Sequence, residues 1–244
     1  MITAMILAGG TGSRVGADRP KQFVEILGKP VLGYTIEIYQ NHPLVDAIEV
    51  VCHKDWKQYL EEMVEKYHYK KVKWITDGGE TFQDSCINGI NYLKNHLQDD
   101  DYLMIHYGAA PFTSEKIVSD VIRVMKEKNS AITATPVYQL LASNDDNGES
   151  KTYYDRDKFI QIACPYGFKF SYIVDIYARA KEQGLLEVIE PHTTSLMYAL
   201  KETLYQAYGD QTNIKITTKE DLDLFEGYVL MKQKRENQQC EKKF

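Results

Sequence analysis

Hydrophobic and polar positions alternate between two periods along this chain. "ITAMILA" (2–8) is a continuous apolar run of strand length, and a glycine loop follows it directly. "PVLGYTIEIYQ" (30–40) switches to helical spacing, with Pro30 suited to a first helical position. "AIEVVCH" (47–53) then reads as a strand and "KDWKQYLEEMVEKYH" (54–68) as an amphipathic helix. The alternation continues through "VKWIT" (72–76), a Gly78-Gly79 turn, a helical "QDSCINGINYLKNHL" (83–97) and the strand "YLMIHY" (102–107). Ser114 caps an amphipathic helix, "SEKIVSDVIRVMKEK", ahead of the strand "AITATPV" (131–137). Repeated strand–helix units of this length predict a parallel sheet with helices on both faces. Ligands of such sheets bind outside the carboxyl ends of the strands. The glycine loop, Gly78-Gly79 and the 106–112 segment are therefore expected along one edge.

The alternation breaks at 138–163. There "NDDNGES" makes a turn cluster between two strand-like flanks, which predicts a protruding hairpin. An arm of that kind packs on another subunit, which predicts a homodimer; a mobile surface loop is the alternative. A helix at "SYIVDIYARAKEQ" (171–183), strands at "TLYQAYG" (203–209) and "NIKIT" (213–217), and a last helix from about Lys219 complete the pattern. The fold class expected is α/β: one domain over 1–235, with a mostly parallel, doubly wound, Rossmann-like sheet, the arm, and a frayed polar tail over 236–244.

Composition restricts the partners. The 244 residues carry a net charge of −6, so the chain has no global basic field for nucleic acid, and cations that bind an anion must be placed locally. Cys52, Cys86, Cys164 and Cys240 are far apart and lack C-x-x-C spacing. That pattern speaks against a zinc site or a disulfide framework and suits the reducing cytoplasm. No apolar stretch approaches the ~18–20 residues of a membrane span, and no signal peptide is expected.

The candidate chemistry begins in "ILAGGTGSRVGADRPKQF" (6–23). The dinucleotide fingerprint G-x-G-x-x-G fails at Val15, and the P-loop fails because no G-K-[ST] follows. The layout is still strand, glycine loop, cations. Glycines let backbone N–H groups approach a phosphate or a base closely, and successive N–H groups form an anion nest. Arg14 can fork onto phosphate oxygens, and Lys21 supplies a mobile point charge. A tight strand-to-helix turn with two solvated cations is the plainer alternative.

"LAGGTGSRVGADRPKQF" followed by "LGKPVLGYTIE" resembles the signature of the IspD/TarI-type cytidylyltransferases. The similarity continues through "DGGETFQDSCINGI" (77–90), "HYGAAPF" (106–112), "RDKFIQIACPYGF" (156–168) and "NIKITTKEDL" (213–222). The resemblance implies transfer of CMP from CTP to a sugar or polyol phosphate, with release of pyrophosphate. It implies that Leu7, Ala8, Gly9, Gly10, Thr11 and Gly12 lie against the nucleotide, with Gly79 and Ser85 at base and ribose. Arg14, Lys21 and Lys215 would surround the α-phosphate. Arg156 would bind the incoming phosphate, reached from a neighbouring subunit by way of the arm, and His106, Ala110 and Thr193 would complete the acceptor site. The "AGG" form of the loop leans toward a ribitol 5-phosphate acceptor over methylerythritol phosphate.

The chain departs from the family pattern in the acceptor half. Tyr107 stands where a Mg²⁺-ligating aspartate belongs, Ala110 and Phe82 where arginines belong, and Gln139-Leu140 where the family has Asp-Thr. "ACPYGF" replaces Q-T-P-Q, and "HTTSL" stands in place of an acidic T-D motif. Tyrosine is neutral at pH 7 and a poor Mg²⁺ ligand. Mg²⁺ is accordingly expected to be held through the nucleotide phosphates. Three readings follow: a transferase with a remodelled acceptor, a nucleotide-binding homologue without turnover that acts as a regulatory or partner subunit, and a transferase using UTP or another nucleotide.

Overall fold

The computed structural model describes residues 1–10 and 19–241. Its first strand, β1 (Ile2–Ala8), is apolar throughout because both faces are covered. Ala4, Ile6 and Ala8 point into one core cluster and Met5 into another, the period-2 alternation of a strand between two layers. A short turn at Lys21–Phe23 leads to the two-residue strands β2 (Glu25–Ile26) and β3 (Lys29–Pro30) and then to α1 (Val31–Gln40). Next come β4 (Ala47–Cys52), α2 (Lys57–Lys66), β5 (Val72–Asp77), α3 (Phe82–Leu93) and β6 (Tyr102–Tyr107). They are followed by α4 (Glu115–Lys128) and β7 (Ser130–Pro136). The arm carries β8 (Leu141–Ala142) and β9 (Tyr153–Tyr154). The chain closes with β10 (Ile160–Lys169), α5 (Phe170–Glu182), α6 (Thr193–Ala199), β11 (Gln206–Tyr208) and α7 (Lys219–Glu241).

The main sheet has seven strands in the order β11-β7-β10-β6-β1-β4-β5. β10 alone runs antiparallel to its neighbours β6 and β7; the other pairings are parallel. The predicted mostly parallel α/β sheet is thus the observed one. One face is covered by α1, α2 and α4 through Leu32, Ile36, Leu60, Val118 and Val121. The other is covered by α3, α5 and α6 through Ile90, Leu93, Ile173, Ile176 and Leu196. Burying each such aliphatic side chain contributes about 1.5–3 kcal/mol before entropy is counted.

Four local readings are corrected. The 213–217 segment is no strand: Ile216 N–H donates to Ala109 O at 2.8 Å, and the chain crosses over the sheet edge. Its alternating isoleucines reflect one-sided packing of Ile216 with Ala109, Phe112 and Phe225. The hairpin flank at 160–163 belongs to β10 in the main sheet, so the arm ends near 159. A short helix, α6, occupies 193–199. The tail expected to fray from 236 continues as helix to Glu241.

Candidate active site at the carboxyl ends of the strands

Two backbone segments touch where β1 and β5 end. A Cβ placed on Gly9 would lie 3.2 Å from Ser85 Oγ and 3.6 Å from Gly78 Cα, and one on Gly78 would lie 3.3 Å from Gly9 Cα, so the two turns pack closely and a side chain on either would crowd the other. Gly78 N–H is held by Cys52 O at 2.8 Å, which ties this turn to the end of β4 as well. Gly79 is constrained from behind, since a Cβ there would fall 2.1 Å from Asp84 Cβ. Thr81 and Asp84 form a reciprocal capping box that starts α3 at this turn. Ser85, expected at base and ribose, donates to Thr81 O at 3.0 Å and accepts from Gly79 N–H at 3.0 Å. Its hydroxyl is therefore engaged in shaping the turn.

Gln22 was not foreseen. Its buried amide donates to Ala8 O at 2.8 Å and to Gly10 O at 2.7 Å, bridging both sides of the Gly9 backbone. It lies in "RPKQF", where the lysine drew attention; a glutamine's two amide donors were the available signal. Thr11, Gly12 and Arg14 lie outside the described residues.

Lys21 and Lys215 are brought together from opposite ends of the sequence. Lys21 Nζ donates to Ile216 O at 2.7 Å, next to Lys215 on the crossing segment. Asn213 fixes that segment. It accepts from Thr113 Oγ1 at 2.6 Å and donates to Cys164 O at 2.7 Å. Lys215 Nζ lies over the Tyr107 ring, 4.7 Å from its centroid. Leu7 pairs with Tyr107 in the parallel ladder, which puts the end of β1 beside that ring.

A cleft of about 560 Å³ opens here, lined by Tyr107, Tyr166, His192, Asn213 and Lys215 among others. Tyr107 Oη is bonded to Tyr166 Oη at 2.8 Å and to His192 Nδ1 at 3.0 Å. Phe82 packs on Tyr107 and His192 with centroids 5.6 and 5.5 Å away. The sequence departures at Phe82, Tyr107, "ACPYGF" and "HTTSL" thus converge on one aromatic cluster. Burial drives the Tyr107 phenol far above its ordinary range, and the neighbouring Tyr166 adds to this, so it stays neutral. His192 is pushed down, first by burial and then by the Lys215 ammonium.

Three residues expected to touch the acceptor are interior. His106 is fully buried, bonded to Thr113 Oγ1 at 3.0 Å, and burial drives its pKa down to about 3. Ala110 lies in the core, and Thr193 is buried against Tyr177 Oη at 2.9 Å. They shape the wall, and side chains this deep do not reach a ligand in the cleft. Physically, the apolar run of β6 carries His106 inward, the turn after it carries Ala110, and the first turn of α6 carries Thr193. Arg156 is on the arm, exposed, with its guanidinium donating to Tyr138 O, and it is not among the residues lining this cleft.

The residue at position 107 does not fit a carboxylate-held Mg²⁺. Tyr107 is at the position the resemblance gives to the aspartate, and its hydroxyl is taken by Tyr166 and His192. Among the described residues no group of three His, Cys, Asp or Glu side chains is placed to hold a metal ion.

Glycine backbones facing one another at the strand ends, with lysines beside a cleft, are the arrangement of an α/β protein that binds a nucleotide or other phosphate. Comparison with known proteins makes this specific. The family model described as IspD, 2-C-methyl-D-erythritol 4-phosphate cytidylyltransferase, matches residues 2–231, and the chain belongs to that family. It is 36% identical over 233 residues to a ribitol-5-phosphate cytidylyltransferase of Lacticaseibacillus paracasei, covering 96% of this chain and 100% of the relative. It is 33% identical over 227 residues to a 2-C-methyl-D-erythritol 4-phosphate cytidylyltransferase of Clostridium novyi, covering 93% and 95%. The fold matches a crystal structure of 4-diphosphocytidyl-2C-methyl-D-erythritol synthase from Anaerococcus prevotii, with a TM-score of 0.77 and 24% identity over 94% of this chain and 96% of that one.

Proposed function

We propose that this chain transfers CMP from CTP to a polyol phosphate of the ribitol 5-phosphate type and releases pyrophosphate. The observation that carries the reading is the hydrogen bond from Lys21 Nζ to Ile216 O, which sets Lys21 and Lys215 together beside the end of β1. In this reading the acceptor's phosphate oxygen attacks the α-phosphorus of CTP. The new O–P bond forms as the bond to the β-phosphate oxygen breaks, and the leaving group departs as pyrophosphate. Leu7, Ala8, Gly9, Gly10, Thr11, Gly12 and Gly79 accommodate the nucleotide, with Ser85 bracing the turn. Arg14, Lys21 and Lys215 offset the charge that builds up around the α-phosphate. Such catalysis is positioning plus cation stabilisation, with no covalent enzyme intermediate.

Relatives carrying both acceptor names match the chain, and the ribitol-type ones include the most extensive match reported above. The aromatic part of the lining formed by Tyr107, Tyr166 and His192, backed by Phe82, supports an uncharged, hydroxyl-rich acceptor body. We also propose a homodimer in which the arm carries Arg156 to the partner's cleft, and a cytoplasmic location, which the buried, unpaired Cys52, Cys86 and Cys164 support. Mg²⁺ enters on the nucleotide in this reading, so Mg²⁺ injected alone into the protein gives no saturable heat in calorimetry.

The experiment is pyrophosphate release from CTP or UTP, with Mg²⁺ and a panel of acceptors. Release with CTP and ribitol 5-phosphate, at a higher kcat/KM than with methylerythritol 4-phosphate, is the expected result. The lack of a carboxylate at Tyr107 favours a second reading, a nucleotide-binding homologue without turnover. CTP binding with no release from any acceptor would establish it.

A further inference from the structure

Lys215 is exposed and carried on a segment outside the sheet, so its long side chain has many rotamers open to it. Its ammonium nevertheless has a defined place over the ring of Tyr107, at 4.7 Å from the centroid. That ring is held by three neighbours. Its hydroxyl is held at 2.8 Å by Tyr166 Oη on β10 and at 3.0 Å by His192 Nδ1 ahead of α6. Phe82 meets it edge-on from the start of α3, with centroids 5.6 Å apart. The backbone end of the seat is fixed too, because Asn213 is bonded to both Thr113 and Cys164, two residues before the lysine. A rigid aromatic face and a clamped backbone together define where the charge can stand.

We propose that Tyr107 is a positioning residue that seats the Lys215 ammonium by a cation–π contact, aimed into the cleft toward the nucleotide phosphates. The proposal rests on the nucleotide reading given above. An aromatic face has a property that a carboxylate lacks. Glu190 and Asp210 also line the cleft, and pairing with either would place a full negative charge where a phosphate must come. A ring attracts the ammonium through its quadrupole and leaves the positive charge available. Phe82 and Tyr166 act through the ring they hold, and His192, which also feels the Lys215 charge, holds the same ring by its bond to the hydroxyl.

Two measurements test this. The first needs no nucleotide: in protein labelled with ¹³C-lysine, the Lys215 ε-methylene resonance, assigned through Lys215→Met, is read for its ring-current shift. It is expected upfield in the wild type and in Tyr107→Phe, and at the ordinary position in Tyr107→Leu. An unshifted wild-type resonance overturns the proposal. The second is a double-mutant cycle on CTP affinity by calorimetry. Tyr107→Leu is expected to weaken CTP by about 3- to 30-fold when Lys215 is present, the range of a cation–π contact, and to have no further effect in the Lys215→Met background. Tyr107→Phe, which keeps the ring and loses the hydroxyl anchors, is expected to fall between wild type and Tyr107→Leu. Additive losses in the cycle overturn the proposal even if the ring shift is present. A wild type that fails to bind CTP overturns the nucleotide reading instead, and the ring shift then decides the seat alone.

Discussion

A Cβ on Gly9 would already stand 3.2 Å from Ser85 Oγ, so the branches of a larger side chain would press on that hydroxyl and on Gly78. Gly9→Val would push the Ser85 hydroxyl off Gly79 N–H and part the two turns, while touching none of the sheet's apolar packing. CTP affinity is therefore expected to fall at least tenfold, with the urea midpoint changed little. Calorimetry beside an unfolding curve separates these, and a loss of stability equal to the loss of affinity would make the contact structural only. The glycines and Lys21 were legible because unusual residues were crowded into eighteen positions of sequence. Gln22 was not, since a glutamine carries no pattern until its two carbonyl partners, Ala8 and Gly10, are seen on either side of it. The same holds for Tyr166 and His192. Each departs from the family pattern alone, and only contact with Tyr107 shows that the departures form one wall.

The arm is the element on which the proposed dimer rests. Asn147 and Gly148 take left-handed conformations at its tip (φ 63° and 75°), as the Asn-Gly signal predicts. Yet Tyr138, Leu140, Tyr153, Tyr154 and Phe159 are all exposed, a set of large apolar side chains that a lone hairpin leaves in water. Replacing residues 142–152 with a short Gly/Ser turn is expected to convert a dimer to monomer in light scattering. The fold should survive, because β10 pairs with β7 from Ile160 opposite Pro136 and closes the arm at its base. A dimer that persists would place the interface on another surface. Elements buried on both faces were read correctly from their apolar runs, as with β1, β4 and β6. Those that failed carry mixed signals: "IQIA" opens β10 half-exposed, where the strand borders the cleft, and "NIKIT" alternates without a ladder. α6 is only seven residues long, too short for a helical period to stand out.

Two buried titratable groups on the central sheet give the whole molecule opposing pH responses. Glu49, on β4, is fully buried; Thr76 Oγ1 donates to its Oε1 at 2.9 Å, and its Oε2 has no partner among the described residues. Burial pushes its pKa from the ordinary 4.5 up to about 7. The folded state thus holds that proton more tightly than the unfolded chain, and the stability it contributes is full below pH 4.5 and is lost as pH rises through about 7. A displacement of this size is worth about 3 kcal/mol, at ~1.4 kcal/mol per pH unit. His106 works in the other direction. Burial lowers its pKa from 6.5 to about 3, so its stability is present above pH 6.5 and is lost as pH falls toward 3. Between pH 4.5 and 6.5 the two slopes have opposite sign and similar size and largely cancel each other, while His42 and His192, whose pKa values burial also lowers, add slope of the His106 sign. Glu49→Gln keeps the acceptor for Thr76 and removes the titration, adding only a pH-independent cost for its unpaired amide. The variant's unfolding free energy is then expected to rise with pH across that window more steeply than the wild type's, by about 1 kcal/mol per unit, the Glu49 slope that the substitution removes. Urea denaturation at pH 5.0, 5.5, 6.0 and 6.5 measures it directly. A variant whose slope matches the wild type would mean that Glu49 titrates near its ordinary pKa, with solvent reaching Oε2 inside the sheet.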